Sequence, residues 1–378
     1  MKVFWPQNAE GGSPADPEFA ADPRPGQSRI PMAEGTERPT GVLLVNLGTP
    51  DSTSVRDVRR YLREFLSDPD VVDIPAFRRW LLLNLVVLPF RPARSAKAYR
   101  SIWTEAGSPL LLHHLKLTDQ VRAELGEGFR VEPAMRYGSP SIRKAMDRLL
   151  GSGVKEVVVV PLFPQYSASA FGSALKSAVQ IAGIRSRRLP VLSVEPFFEH
   201  PAFIETWARV ARPHLEAFDP DHLLITYHGV PERQIHKSDP TGMWCLRRPD
   251  CCDVPSPVHR YCYRAQCFRT TKALLPALGW DPDRASTSFQ SRLGRAPWLR
   301  PYTDDRIREL AEQGVRRLAV MSPSFVADCL ETLEEIGKEG REAFRRAGGE
   351  ELLLVPSLNS DRRWSDTVVR LVRERLAG

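Results

Sequence analysis

Six short apolar runs recur along the chain: VLLVNL at 42–47, VEPAM at 131–135, VVVVPLF at 157–163, LLITY at 223–227, LAVMS at 318–322 and LLLV at 352–355. Each is largely continuous rather than alternating, which suits strands covered on both faces. Stretches of helical periodicity separate them. After the first run, Ser54 can cap a helix whose Val55, Val58, Leu62 and Leu66 return every three or four residues, stopped by Asp68 and Pro69. This strand and helix alternation predicts an α/β fold of doubly wound, Rossmann-like domains with parallel sheets. A chain of 378 residues holds two of them. The seam is expected in the basic GIRSRRLP stretch, giving an N-terminal domain over 40–185 and a C-terminal domain over 186–357, with no internal repeat apparent.

Composition refines the ends. Residues 1–39 carry seven prolines and four glycines among few aliphatics, and read as a disordered leader with too little apolar surface to offset the entropy of ordering. Met32 is an alternative start to Met1. No apolar stretch follows Lys2, so the leader does not read as a secretory signal, and a cytoplasmic location is expected. No apolar run approaches the roughly 20 residues of a membrane span. The longest, WLLLNLVVLPF at 80–90, is flanked by Arg78, Arg79, Arg91 and Arg94. It reads either as a buried helix or as an amphipathic edge that touches lipid headgroups or an apolar ligand. A formal net charge of +7 fits nucleic acid, a membrane surface or an anionic substrate, and selects none of them.

Neither a GxGxxG fingerprint nor a P-loop is present. In open α/β sheets chemistry sits beyond the carboxyl ends of strands, and three groups of residues stand out there. His228 ends LLITY and precedes the turn Gly229-Val230-Pro231, where an imidazole can take or give a proton near neutral pH. The alternative is a histidine that only bonds a neighbouring carbonyl. After LAVMS, Glu331, Glu335 and Glu339 recur every four residues. On a helix they form either a solvated acidic face or a carboxylate track for a metal ion, and a π-type turn would align them better still. Finally, five of the six cysteines lie between Cys245 and Cys267, with Cys329 alone. In a reducing compartment such crowding favours a metal centre over disulfides. Cys245, Cys251, Cys252, Cys262 and Cys267 can supply four thiolates to a [2Fe-2S] cluster, while His259 keeps a Cys3His zinc site open.

The order and wording of several segments resemble the ferrochelatase family: LLVNLGTPDS, PARSAKAYRSIWTEAGSPL, PAMRYGSPSI, PLFPQYSASAFGS, LLITYHGVPERQIHKSD, TSFQSRLGRAPWLRPYTD and SFVADCLETLEEI, from Gly41 to beyond Asn359. The resemblance implies a two-domain chelatase-type fold with a porphyrin cleft between the domains, and a C-terminal helix over 358–378 that packs back on the first domain. It implies insertion of Fe2+ into a porphyrin. The DCLETLEEI form resembles the Gram-negative type that uses protoporphyrin IX, with coproporphyrin the alternative. By the same resemblance His228 is the active-site base and Glu331 its opposing carboxylate, with His228, Glu331, Glu335 and Glu339 on the path of the iron substrate. Arg136, Tyr137, Tyr166, Trp298, Asn46, Ser108 and Gln290 fall in pocket motifs.

The family pattern places a tyrosine shortly after Ser238-Asp239, but here Pro240 and Thr241 follow and the tyrosine is displaced to Tyr263. That implies a Cys-rich insertion over 241–262 of about 22 residues. It resembles the microbial subset with an internal [2Fe-2S] segment, for which Cys245, Cys252, Cys262 and Cys267 are the expected ligands and Cys251 the alternative to Cys252. The expected partners are porphyrin and ferrous iron, with peripheral membrane contact through a lip at 80–103, neighbouring enzymes of haem synthesis, and no nucleic acid. Rival readings are a cobalt chelatase and a non-enzymatic metal- or tetrapyrrole-binding protein.

Overall fold

A computed structural model describes residues 38–378 apart from Arg187, Leu293 and Arg295. Residues 1–37, most of the expected leader, lie outside the described residues. The first sheet contains β1 (Thr40–Thr49), β2 (Phe129–Gly138), β3 (Glu156–Pro161) and β4 (Val191–Ser193), all parallel in the order β2-β1-β3-β4. Val42 stands opposite Val131 and Val158, so the central strand is flanked by β-branched side chains. Between β1 and β2 run α1 (Val55–Ser67), α2 (Ala76–Leu81), a π-turn at Leu82–Val87, α3 (Leu88–Ile102) and α4 (Pro109–Leu125). The cap expected for α1 is present: the Ser54 hydroxyl accepts from the Asp57 N–H at 3.1 Å. Next come α5 (Ile142–Gly151), a π-turn at Ala168–Gly172 and α6 (Ser173–Arg185).

The second sheet repeats this plan. It follows α7 (Pro201–Phe218) and contains β5 (His222–His228), β6 (Ala285–Gln290), β7 (Arg317–Met321) and β8 (Glu351–Leu354), parallel in the order β6-β5-β7-β8. Its crossovers are α8 (Glu232–Ser238) with α9 (Tyr263–Leu278), then α10 (Thr303–Glu312), then a π-helix at Glu331–Gly340 with α11 (Arg341–Arg346). The final helix α12 (Arg362–Ala377) packs on α4 and α7. The topology is therefore duplicated, although no repeat is apparent in the sequence.

All six apolar runs form strands. The two strands without such a run, β4 and β6, are both sheet edges, where one neighbour is missing and fewer apolar side chains are needed. β4 also moves the seam: it pairs with β3 in the first sheet although it lies beyond residue 186. The largest apolar cluster contains Val42 and Val160 from one sheet, Ile225 and Met321 from the other, and Trp364 and Val368 from α12, so a single core joins them. The 80–90 run is not a buried helix. Trp80, Leu85, Val86 and Phe90 are exposed, as is Phe77, while Leu83 and Leu88 turn inward. Among the described residues no helix is long and apolar enough to cross a membrane.

Candidate active site at the strand ends

His228 is the last residue of β5, and its backbone is held on both sides. Its N–H donates to the Ser324 hydroxyl at 3.3 Å, and its carbonyl accepts from the Tyr263 hydroxyl at 2.8 Å. The chain then turns through Gly229, whose N–H donates to the Gln290 carbonyl at 2.8 Å. A Cβ at Gly229 would stand 2.8 Å from that carbonyl oxygen and 3.2 Å from the Trp298 ring, so only glycine permits the approach. Imidazole Nδ1 lies 2.6 Å from the Gly229 carbonyl. A carbonyl only accepts, so Nδ1 carries the proton and Nε2 keeps its lone pair. Trp298 and Phe325 flank the ring at 6.3 and 6.1 Å between centroids. Burial holds the imidazole below its usual range, while the Glu331 charge pulls the other way.

Gln290, at the end of β6, is buried and donates through Nε2 to the Glu331 carbonyl at 2.8 Å, joining the strand end to the start of the π-helix. The π-helix places the three expected glutamates at different depths. Glu331 and Glu335 are partly buried and Glu339 is exposed. Burial and the Glu331 charge push the Glu335 carboxyl up to about 8, against a hydroxyl donated by Ser291 at 2.5 Å. Burial and Glu339 raise the neighbouring Glu334 as well. Burial and a neighbouring carboxylate thus favour the protonated form of Glu335.

On the side of the first sheet lies a buried aromatic cluster. Tyr61, Tyr99 and Tyr137 form an apolar cluster with Leu330 and Leu333 from the segment around Glu331. Arg136 does not stand free to draw in an anion. It pairs with the buried Asp68 carboxylate, donates to the Ser173 hydroxyl at 2.7 Å and lies 4.5 Å over the Tyr137 ring. Burial alone would raise the Asp68 carboxyl, but bonds from Ser173, Tyr137 and the Asp70 N–H hold it below its ordinary value. Tyr166 packs on Phe171 at 5.8 Å and on Tyr261 at 5.7 Å. Ser108 is buried and donates to the Thr49 hydroxyl at 2.9 Å, and Asn46 accepts from the Leu47 N–H at 2.8 Å, so both are bonded at the end of β1.

The Cys-rich segment folds against the same core. Asp239 nucleates it: its carboxylate accepts from the N–H groups of Thr241, Trp244 and Cys245 at 2.8–2.9 Å, which holds its carboxyl far below the usual range despite burial. All six cysteines are buried free thiols. Bonding to Cys245 pushes the Cys262 thiol up to about 12, and bonding to Cys262 raises Cys252 further. Cys267 senses both Cys262 and Cys252. The Cys251 sulfur accepts from the Leu246 N–H at 3.4 Å and lies 3.9 Å from the Cys252 sulfur, and His259 Nε2 bonds the Cys251 carbonyl at 2.7 Å. Among the described residues no group of three or more His, Cys, Asp or Glu side chains is gathered tightly enough to hold a metal ion as the side chains stand.

Sequence reasoning passed over Ser291, Ser324, Phe325, Asp68 and Ser173. Ser291 adjoins Gln290 and was within reach, and its φ of 66° marks a constrained backbone. Asp68 reads from sequence only as a helix stop, because its partners at 136, 137 and 173 are brought to it by the fold.

The architecture is of the two-sheet, chelatase type: the solved structure of SirB from Bacillus subtilis with Fe3+ matches it with a TM-score of 0.50 at 12% identity, covering 89% of this chain and 95% of that one. The ferrochelatase family model matches residues 39–376, and the chain belongs to that family. It is 48% identical over 332 residues to the ferrochelatase of Stutzerimonas stutzeri (strain A1501), covering 87% of this chain and 96% of the relative. It is also 48% identical over 334 residues to that of Azotobacter vinelandii (strain DJ / ATCC BAA-1303), covering 88% and 98%. The chain is accordingly an enzyme of haem synthesis that inserts metal into a porphyrin.

Proposed function

We propose that the enzyme inserts Fe2+ into protoporphyrin IX, forming protohaem and releasing the two pyrrole protons, with His228 as the proton acceptor. The observation that carries this is the tautomer: with Nδ1 donating to Gly229, Nε2 is the bare base at the strand end, in a wall of Trp298 and Phe325 suited to a macrocycle face. Burial keeps the ring neutral, hence able to accept a proton at working pH. The macrocycle lies against this wall. Glu331 and Glu335 form the opposing track, along which iron enters or protons leave toward exposed Glu339. Arg136 and Asp68 brace the first-sheet side through Tyr137. The test is an anaerobic assay with Fe2+ and either porphyrin: faster turnover of protoporphyrin is expected, and preference for coproporphyrin would overturn the substrate assignment.

The cysteine segment supports a second, resident group. Four buried thiols that sense one another, none in a disulfide, with the Arg264 guanidinium 3.0 Å from the Cys252 sulfur, fit the donor chemistry and charge of a [2Fe-2S] cluster. Cys245, Cys252, Cys262 and Cys267 would hold it, with Cys251, whose sulfur lies 3.9 Å from that of Cys252, the alternative to Cys252. Such a cluster supplies a one-electron couple or a structural clamp. His259 bonds the Cys251 carbonyl through Nε2 alone, which leaves the zinc alternative to the test. Purified enzyme should be brown and lose that colour in Cys262→Ser; a colourless, zinc-loaded preparation would overturn the assignment. The exposed Phe77, Trp80, Leu85, Val86 and Phe90 beside arginines support a peripheral, cytoplasmic-face membrane contact.

A further inference from the structure

Two pocket residues from different sheets are held by one turn of one helix. α9 begins immediately after Cys262, and its first residue, Tyr263, is buried with its hydroxyl on the His228 carbonyl at 2.8 Å. One turn later Gln266 is fully buried. Its side-chain oxygen accepts the Tyr166 N–H at 2.6 Å, and its Nε2 donates to the carbonyls of Arg260 at 2.8 Å and His259 at 3.2 Å. The spacing of three residues puts both side chains on one face. Tyr261, just ahead of the helix, sets its ring edge-on to Tyr166. The same turn ends with Cys267. The segment that carries the thiols is thus continuous, through two side chains, with the base on one wall and an aromatic on the other.

We infer that the first turn of α9 is the positioning element of the active site, in which Tyr263 fixes His228 and Gln266 fixes Tyr166. Tyr263 touches no reacting atom. It acts through the His228 carbonyl, which with the Ser324 bond to the N–H fixes the backbone that carries the imidazole. A misplaced base slows proton transfer without weakening porphyrin binding. Gln266 acts on Tyr166, a wall residue, and its loss loosens binding without touching the base. The two variants therefore separate in kinetics, which a merely structural role would not produce.

The inference rests on His228 as proton acceptor. Tyr263→Phe keeps the ring and its packing, and one lost hydrogen bond corresponds to about a fivefold change. It should lower kcat about fivefold with KM for the porphyrin within twofold of wild type. Gln266→Met, of similar volume, should raise that KM about fivefold at unchanged kcat. Wild-type kcat in Tyr263→Phe, or loss of kcat rather than binding in Gln266→Met, would overturn the positioning roles while His228→Ala stayed inactive. Near-normal turnover in His228→Ala would instead remove the base assignment itself. Should Gln266→Met fail to fold, the Tyr263→Phe split decides alone.

Discussion

β1 and β5 occupy the same place in two sheets of the same strand order, yet they end differently. β1 ends in Asn46 to Thr49, where each polar side chain is met by a close neighbour. β5 ends in His228, whose Nε2 is bare. The crossovers after β3 and β7 differ in the same way. Both open with a π-helical turn, but Ala168–Gly172 buries Phe171 and leads to Ser173 locked on Asp68, whereas Glu331–Gly340 carries carboxylates with a proton to exchange. Topology delivers strand ends and wide turns to one cleft twice over. Completing the polar bonds makes a wall, and leaving them incomplete makes a reagent.

The sharpest break of this contrast is His228→Ala. It should cut iron insertion by about three orders of magnitude, with circular dichroism and Tm unchanged. Next, Glu331→Gln should leave porphyrin binding by fluorescence titration intact and slow metallation about 10- to 100-fold. On the wall side the effect should fall on stability: Arg136→Leu strands the Asp68 charge in a buried site and should cost about 3 kcal/mol in urea unfolding. Adding Asp68→Asn should restore part of it. The smallest effect belongs to Glu335. Folding raises its carboxyl from an ordinary 4.5 to about 8, so folding favours the neutral form. That contribution is complete below pH 4.5 and is lost as pH rises through 8. Glu335→Gln should flatten the decline in Tm between pH 4.5 and pH 8 by a few degrees.

Much of this was legible in the residue pattern. Continuous apolar runs announced every strand that needed two buried faces. β6 escaped because an edge strand of ASTSFQ satisfies itself with hydroxyls, Ser288 sharing a bond with Thr303 at 2.9 Å. β4 escaped by its length of three residues. The proposed base was a candidate in the sequence because a histidine stood at a strand end before a glycine turn, and the acidic ladder because its step of four suits a wide turn. Arg136 was misleading for a physical reason: its charge is visible in the sequence, but the carboxylate that neutralises it comes from 68 residues away.

What the sequence determined by itself was the alternation of strands and helices, the family, the histidine and carboxylate candidates and the crowding of thiols, because these depend on local periodicity and residue chemistry. The tertiary structure alone decided that the two halves share a topology and that the 80–90 run faces outward. It likewise decided that Asp68 claims Arg136 and that one turn of α9 bonds both the His228 carbonyl and the Tyr166 N–H. Those depend on which distant side chains share a dielectric and a hydrogen bond, and only the folded chain brings them within reach.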